Sequence, residues 1–294
     1  MSDWLVVVNP TAGRKPTPSS FIADALRAAG VSGEIVVPGS VGQTRRVIEQ
    51  AITDGRPRVA VSGGDGTFNL AINSLMGVAA ESRPILGILP GGTGCDLLKT
   101  FALPQDIPGA ARHLAGEDTY DIDIVTLDGD WGRRYFANVA QAGVGAAAAE
   151  TAPKMSRRLG VARYPAAFGV RLPRFPKTRV KITTERRTYE SDALAVLLAN
   201  AQFFAGGWNV APRATLMDGV LDIQVINAKK TQAPALVPKV IKGTHLADPA
   251  VRRFTASEFS IETEHSWPIE ADGDWLGNTP VRGRVVPGAI RLKI

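Results

Sequence analysis

The chain has 294 residues, 45% hydrophobic and 21% charged, with a formal net charge of +6, so it is long enough for two domains with cores of their own. A single cysteine excludes an internal disulfide and suits a reducing, cytoplasmic compartment. No membrane span is expected: the longest apolar stretch, 193–205, is interrupted by Asn200 and Gln202, and Met1-Ser2-Asp3-Trp4 lacks the basic start of a signal peptide.

The first strand signal is Leu5-Val6-Val7-Val8, followed by the turn Asn9-Pro10-Thr11-Ala12-Gly13-Arg14-Lys15. A second strand is expected to end near Ser40 and Thr44, where a helix begins whose one face carries Val47, Ile48, Ala51 and Ile52. Val59-Ala60-Val61 then leads into Gly63-Gly64-Asp65-Gly66-Thr67 and a helical stretch with Phe68, Ala71, Ile72, Leu75 and Met76 on one face. Ile85-Leu86-Gly87-Ile88-Leu89 leads into Pro90-Gly91-Gly92-Thr93-Gly94-Cys95-Asp96. Three strand, glycine turn, helix units predict a doubly wound parallel sheet, whose ligands collect at the carboxyl ends of the strands. Glycines there let backbone N–H groups approach an anion, a carboxylate can reach a phosphate-bound metal, and Thr67 can cap the following helix. Taken alone, each glycine turn also reads as a plain strand-to-helix connection.

Beyond about residue 125 the period changes from helical to two. Val180–Thr183, Leu194–Leu198, Leu221–Ile226, Phe259–Ile261, Val281–Val286 and Ile290–Ile294 read as strands separated by Gly, Pro and Asp turns, with helix near 155–172 and 232–243. The expected organisation is an α/β domain over 1–124 and an all-β sandwich over 125–294. Between Thr151 and Thr184 there are nine basic residues (Lys154, Arg157, Arg158, Arg163, Arg171, Arg174, Lys177, Arg179, Lys181) and no acidic one. Met155, Leu159, Tyr164, Phe168, Leu172 and Phe175 are interleaved with them, a mixture suited to an anionic membrane surface, or to a solvated face over an ordinary core. No nucleic-acid motif accompanies the charge, so nucleic acid ranks last among partners.

The three glycine turns together resemble the diacylglycerol kinase catalytic domain of the bacterial lipid kinase and sphingosine kinase family. The likeness continues through Phe136-Ala137-Asn138-Val139 with Gly143-Val144-Gly145, Ala211-Pro212 to Met217-Asp218-Gly219-Val220-Leu221-Asp222, and Glu270-Ala271-Asp272-Gly273-Asp274. It implies a phosphofructokinase-like first domain, a sandwich for the lipid, and a last strand packing back on the first domain. It also implies transfer of the γ-phosphoryl group of ATP, with Mg2+, to a membrane alcohol such as diacylglycerol.

By that resemblance Asp65, Asp96 and Asp123 form the metal cluster, with Asp121 as the alternative to Asp123 because strand alternation puts both on one face. Asn9, Gly63, Gly64, Asp65, Gly66, Thr67, Gly92, Thr93 and Asp274 would hold ATP, with Arg14 or Lys15 at the phosphates and Ser40 and Thr44 as weaker candidates. Asp272 is the implied base for the acceptor hydroxyl. Asp274 stands where the family has glutamate, and Cys95 where it has asparagine. A second, structural magnesium is implied at Asp218 with the carbonyls of Leu216 and Val220, where a plain type I turn reads nearly as well. The implied setting is the cytoplasmic face of a membrane, peripherally bound through the 154–181 stretch to anionic headgroups, with a homodimer left open. A soluble-substrate kinase of the NAD kinase or phosphofructokinase type, and a non-catalytic nucleotide or lipid-binding relative, are the competing readings.

Overall fold

A computed structural model describes residues 4–13, 17–91 and 95–294, apart from the side chains of Arg157 and Val161. The chain divides into two compact units, the first formed by 1–124 with 287–294 and the second by 125–286.

In the first unit β1 (Trp4–Val8), α1 (Ser19–Ala28), β2 (Gly33–Val36), α2 (Val41–Thr53), β3 (Arg58–Gly63), α3 (Asp65–Met76) and β4 (Ile85–Pro90) alternate, followed by α4 (Asp96–Thr100) and α5 (Ile107–Ala115). The strands lie parallel in the order β2-β1-β3-β4. β1 and β3 are buried along almost their whole length, as continuous Val- and Ala-rich runs require in a sheet covered on both faces. The helices turn their apolar stripes inward: Ile22 and Leu26 of α1, Ile48, Ala51 and Ile52 of α2, and Phe68, Ala71, Ile72, Leu75 and Met76 of α3 are buried. Strand order reverses between β1 and β3, so the ends of these two strands border the crevice where such sheets take ligands.

β5 (Thr119–Gly129) leads into the second unit, where β6 (Gly132–Phe136), β7 (Val139–Gly143), α6 (Val144–Thr151), α7 (Arg163–Arg171), β8 (Thr178–Thr184), β9 (Thr188–Ala193) and β10 (Ala195–Ala199) follow. The short pair β11 (Phe203–Phe204) and β12 (Trp208–Asn209) precedes β13 (Leu221–Ile226), α8 (Ala233–Ile241), β14 (Val251–Ala256) and β15 (Glu258–Thr263). The chain closes with β16 (Pro268–Ala271), β17 (Asp274–Asn278) and β18 (Val281–Lys293). One antiparallel sheet runs β14-β13-β10-β7-β16-β17, and β9, β8, β15 and the start of β18 form another. Val196, Leu198, Ile223 and Phe254 of the one pack in a single buried cluster with Val180, Ile182, Phe259 and Ile261 of the other, which makes the unit a sandwich.

One expected break is absent. Val281–Val286 and the expected strand from Ile290 as far as Lys293 are parts of one strand of 13 residues, and Pro287-Gly288 is a kink within it. Gly288 takes the left-handed region (φ 56°), and its N–H donates to Asp123 Oδ1 at 2.9 Å, so a carboxylate replaces the lost ladder partner. After the kink Leu292 pairs parallel to Leu86 of β4, within the first unit.

Candidate active site

The turn after β3 is shaped by close approach. A Cβ on Gly63 would fall 2.3 Å from Thr67 Oγ1, so that position requires glycine, and one on Gly91 would sit tightly, 3.1 Å from the Gly63 backbone. A Cβ on Gly66 would meet nothing within 4 Å, because that N–H end of α3 faces open space. Thr67 is buried, and its hydroxyl accepts from Asn9 Nδ2 at 2.8 Å, which ties the end of β1 to the first turn of α3 across the strand-order reversal. Asn9 Oδ1 in turn accepts the N–H and hydroxyl of Thr11 at 2.9 and 2.8 Å. Gly64 is the N-cap of α3, with no side chain closing the cap. The arrangement is a helix N-terminus presented at the crevice, suited to an anionic phosphate. Ser40 caps α2 through Gln43 N at 3.3 Å, and buried Thr44 donates to the Ser40 carbonyl at 3.1 Å, so both hydroxyls serve the helix start. Arg14, Lys15, Gly92 and Thr93 lie outside the described residues.

The carboxylates of this unit are not assembled as a trio. Asp65 Oδ1 accepts the Asp96 N–H at 2.7 Å, and buried Asp96 pairs with Lys99 Nζ at 2.8 Å. Asp123 is buried on the Gly288 kink, whereas Asp121 is exposed and pairs with Arg291 at 3.1 Å. Among the described residues no group of three or more His, Cys, Asp or Glu side chains stands together, so the expected Asp65, Asp96 and Asp123 set would have to reach a metal at least partly through water. Two carboxylates adjacent to a helix end suited to phosphate fit magnesium, which takes few protein ligands and completes its shell from phosphates and water. In the second unit Asp218 is exposed and accepts the Val220 N–H at 3.2 Å, a side-chain-closed turn next to buried Leu216. Cys95 is buried, and burial, reinforced by Asp65, pushes its thiol up to about 12, which makes it unreactive.

Asp272 occupies a different kind of place. Ala271 pairs with Asp274 across a two-residue turn, and Asp272 and Gly273 both have positive φ, 47° and 95°, as the tightest hairpins require. The carboxylate receives the N–H groups of Ala137 (2.9 Å), Asn138 (3.1 Å) and Val139 (3.0 Å), where β6 passes into β7. Asp272 N donates back to the Val139 carbonyl at 3.0 Å. The motif Phe136-Ala137-Asn138-Val139 thus serves as a cradle for a carboxylate 133 to 135 residues downstream. Burial pushes the Asp272 carboxyl up to about 6 while the three N–H donors pull it down. Asp274, exposed beside it, is raised by desolvation and lowered by Arg134. Asn138 Oδ1 is buried beside this cradle with no partner among the described residues.

The residue that sequence reasoning passed over is Glu270. Its carboxylate is buried, accepts from Gln141 Nε2 at 2.8 Å and from the Gly273 N–H, and is pushed up to about 8 by burial. Gln141 and Tyr164 also line an apolar cavity of about 80 Å³ within the sandwich unit, walled by Val144, Phe168, Leu197, Phe204, Leu236 and Val240 among others. The basic stretch is divided between two uses. Phe168 faces this cavity, Leu172 and Phe175 are buried, and Lys154, Arg171, Arg179 and Lys181 pair with glutamates. Arg158, Arg174 and Lys177 are exposed, as are Leu159 and Val170. No helix among the described residues is long and apolar enough to cross a membrane.

The first unit presents a glycine-lined helix end where strand order reverses, the second is a sandwich with a cradled carboxylate, and known proteins match both halves of the chain. Residues 3–127 match the diacylglycerol kinase catalytic domain, and residues 138–294 match the YegS C-terminal NAD kinase beta sandwich-like domain. The lipid kinase YegS of Escherichia coli K12 is 27% identical over 92% of this chain and 88% of its own length, and a YegS-like protein of Cronobacter sakazakii is 28% identical over the same shares. A crystal structure from Bacillus anthracis str. Sterne, provisionally named a diacylglycerol kinase, superimposes with a TM-score of 0.80 at 26% identity, covering 99% of this chain and 97% of that one. The chain is an enzyme of the kinase class. It belongs to the family that joins the diacylglycerol kinase catalytic domain to the YegS C-terminal domain.

Proposed function

We propose that the chain transfers the γ-phosphoryl group of ATP to a hydroxyl of a membrane lipid such as diacylglycerol, with Asp272 as the base. The observation that carries this reading is a carboxylate held by three backbone N–H groups in the same unit as an apolar cavity. A lipid alcohol needs both, an apolar seat for its chain and a fixed acceptor for the proton its hydroxyl gives up.

On the nucleotide side, the N-terminus of α3 with Asn9, Gly64, Gly66 and Thr67 binds and orients the phosphates, and the glycines allow their approach. Bound magnesium would supply charge neutralisation on the transferring phosphoryl group, with Asp65 and Asp96 as the side chains that would hold it. Asp272 holds its position through the Ala137–Val139 cradle, takes the hydroxyl proton and leaves the lipid oxygen as nucleophile. Arg158, Arg174 and Lys177, with Leu159 and Val170, are the groups suited to meeting anionic headgroups.

The test is a kinase assay with labelled ATP and a lipid panel in mixed micelles. Phosphate is expected on a lipid hydroxyl. Transfer only to soluble acceptors would sink the lipid assignment in favour of a soluble-substrate kinase, and nucleotide binding without transfer to any acceptor would indicate a non-catalytic relative.

A further inference from the structure

The cavity in the sandwich unit is not apolar all round. The Tyr164 hydroxyl lies 3.3 Å from Gln141 Oε1 and 3.2 Å from the Gly145 carbonyl, and both Tyr164 and Gln141 line the cavity. A tyrosine hydroxyl has one hydrogen, so it serves one of these acceptors at a time. Trp208 and Phe204 hold the ring edge-on, at centroid distances of 5.3 and 6.3 Å. The amide has room only because residue 145 is glycine: a Cβ there would fall 2.1 Å from Gln141 Oε1.

The polar contacts continue away from the cavity. Gln141 Nε2 donates to Glu270 Oε2 at 2.8 Å, and Glu270 Oε1 accepts the N–H of Gly273. Gly273 is the second central residue of the turn whose first is Asp272. An unbroken series of contacts therefore runs from the cavity wall through Tyr164, Gln141 and Glu270 to the backbone of the Asp272 turn. A carboxyl group 1% exposed is a costly choice where an apolar side chain would fill the same space. Asp272 and Asp274 raise it further, opposed by the hydrogen bonds from Gln141 and Gly273, and Tyr164 feels its charge in turn.

We infer that Glu270 is a positioning residue that couples the contents of the apolar cavity to the Asp272 turn. A chain that packs against the Tyr164 ring displaces the hydroxyl relative to Gln141 Oε1 and the Gly145 carbonyl, and so changes the partners of the Gln141 amide. Glu270, bonded to that amide and to Gly273, transmits the change to the turn that carries the base. This inference rests on the proposed function and deepens it, since the substrate then needs a chain long enough to touch Gln141.

The first experiment reads the coupling without catalysis. Labelled full-length protein is titrated with 1-decanol in the absence of nucleotide, following the Gly273 amide and the Leu236 methyl resonances. Both are expected to shift saturably in the wild type, and in Gln141→Met only Leu236 is expected to shift. Saturation at Leu236 with Gly273 unmoved in the wild type would overturn the inference, as would a wild-type Gly273 shift in Gln141→Met, or no saturable shift at Leu236. The second experiment compares kcat and KM for short- and long-chain diacylglycerols. Lengthening the chain is expected to raise kcat by about tenfold in the wild type, and Glu270→Gln is expected to flatten that gain, read as the ratio of long- to short-chain kcat whatever the short-chain value is. A merely structural role would lower both substrates alike. Should Glu270→Gln fail to fold, Gln141→Met carries this comparison too. Failure of the base assignment shows separately, as full activity in Asp272→Asn with the Gly273 titration unchanged.

Discussion

The turn after β3 and the turn between β16 and β17 are both short, glycine-bearing and acidic, yet they are built on opposite plans. The first keeps its N–H groups unclosed by a capping side chain and leaves Gly66 facing open space. The second holds its aspartate with three backbone donors before any ligand arrives, which leaves part of the carboxylate's acceptor capacity for a substrate. The open turn leaves N–H groups for an anion, whereas the closed turn fixes its carboxylate in place and leaves burial to raise its basicity.

The largest expected effect comes from the closed turn. Asp272→Asn keeps the side chain's size, turns an NH2 toward one of the three N–H donors and removes the proposed base, so kcat is expected to fall by roughly 10²- to 10⁴-fold with nucleotide affinity unchanged, as checked by steady-state kinetics and calorimetry. In the open turn two alanines should part company. Gly63→Ala drives a methyl into Thr67 and is expected to destabilise by about 1–3 kcal/mol in thermal unfolding. Gly66→Ala meets no protein atom, so its melting temperature should stay put while ATP affinity falls.

Acidity sharpens the comparison next. Because burial lifts Asp272 to about 6, kcat/KM is expected to rise with pH through that value as the carboxylate forms. Glu270 is lifted from 4.5 to about 8, so between those values the folded state keeps a proton that the unfolded chain has released. Stability should therefore fall as pH rises across that window and level off above it, and Glu270→Gln should show a shallower fall in melting temperature. The smallest effect belongs to the surface: replacing Arg158, Arg174 and Lys177 by glutamate is expected to weaken binding to anionic vesicles, by about 1 kcal/mol for each cation lost. Equal binding by the triple variant at low salt would return these residues to a solvated face.

Local chemistry made much of the first unit readable from sequence. Apolar runs ending in glycine turns mark strands that end at a ligand crevice, and the helix faces through Ile48 and Ile72 follow a period that needs no distant partner. Reading failed where the cause was remote. Pro287-Gly288 has the composition of a turn, but Asp123, 165 positions earlier, supplies the bond that lets the strand continue. Glu270 resembles any strand glutamate until Gln141, 129 positions away, is found beside it. The basic stretch looked uniformly amphipathic because a linear list hides direction: Phe168, Leu172 and Phe175 turn inward, and several cations meet glutamates drawn from other elements.

The burial of Cys95 has a practical consequence. It is the chain's one thiol, and burial lifts its ionisation to about 12, so it stays protonated near neutral pH. Thiol-directed dyes and spin labels should pass it by, so a cysteine introduced on the surface would be labelled alone, with the native residue left in place.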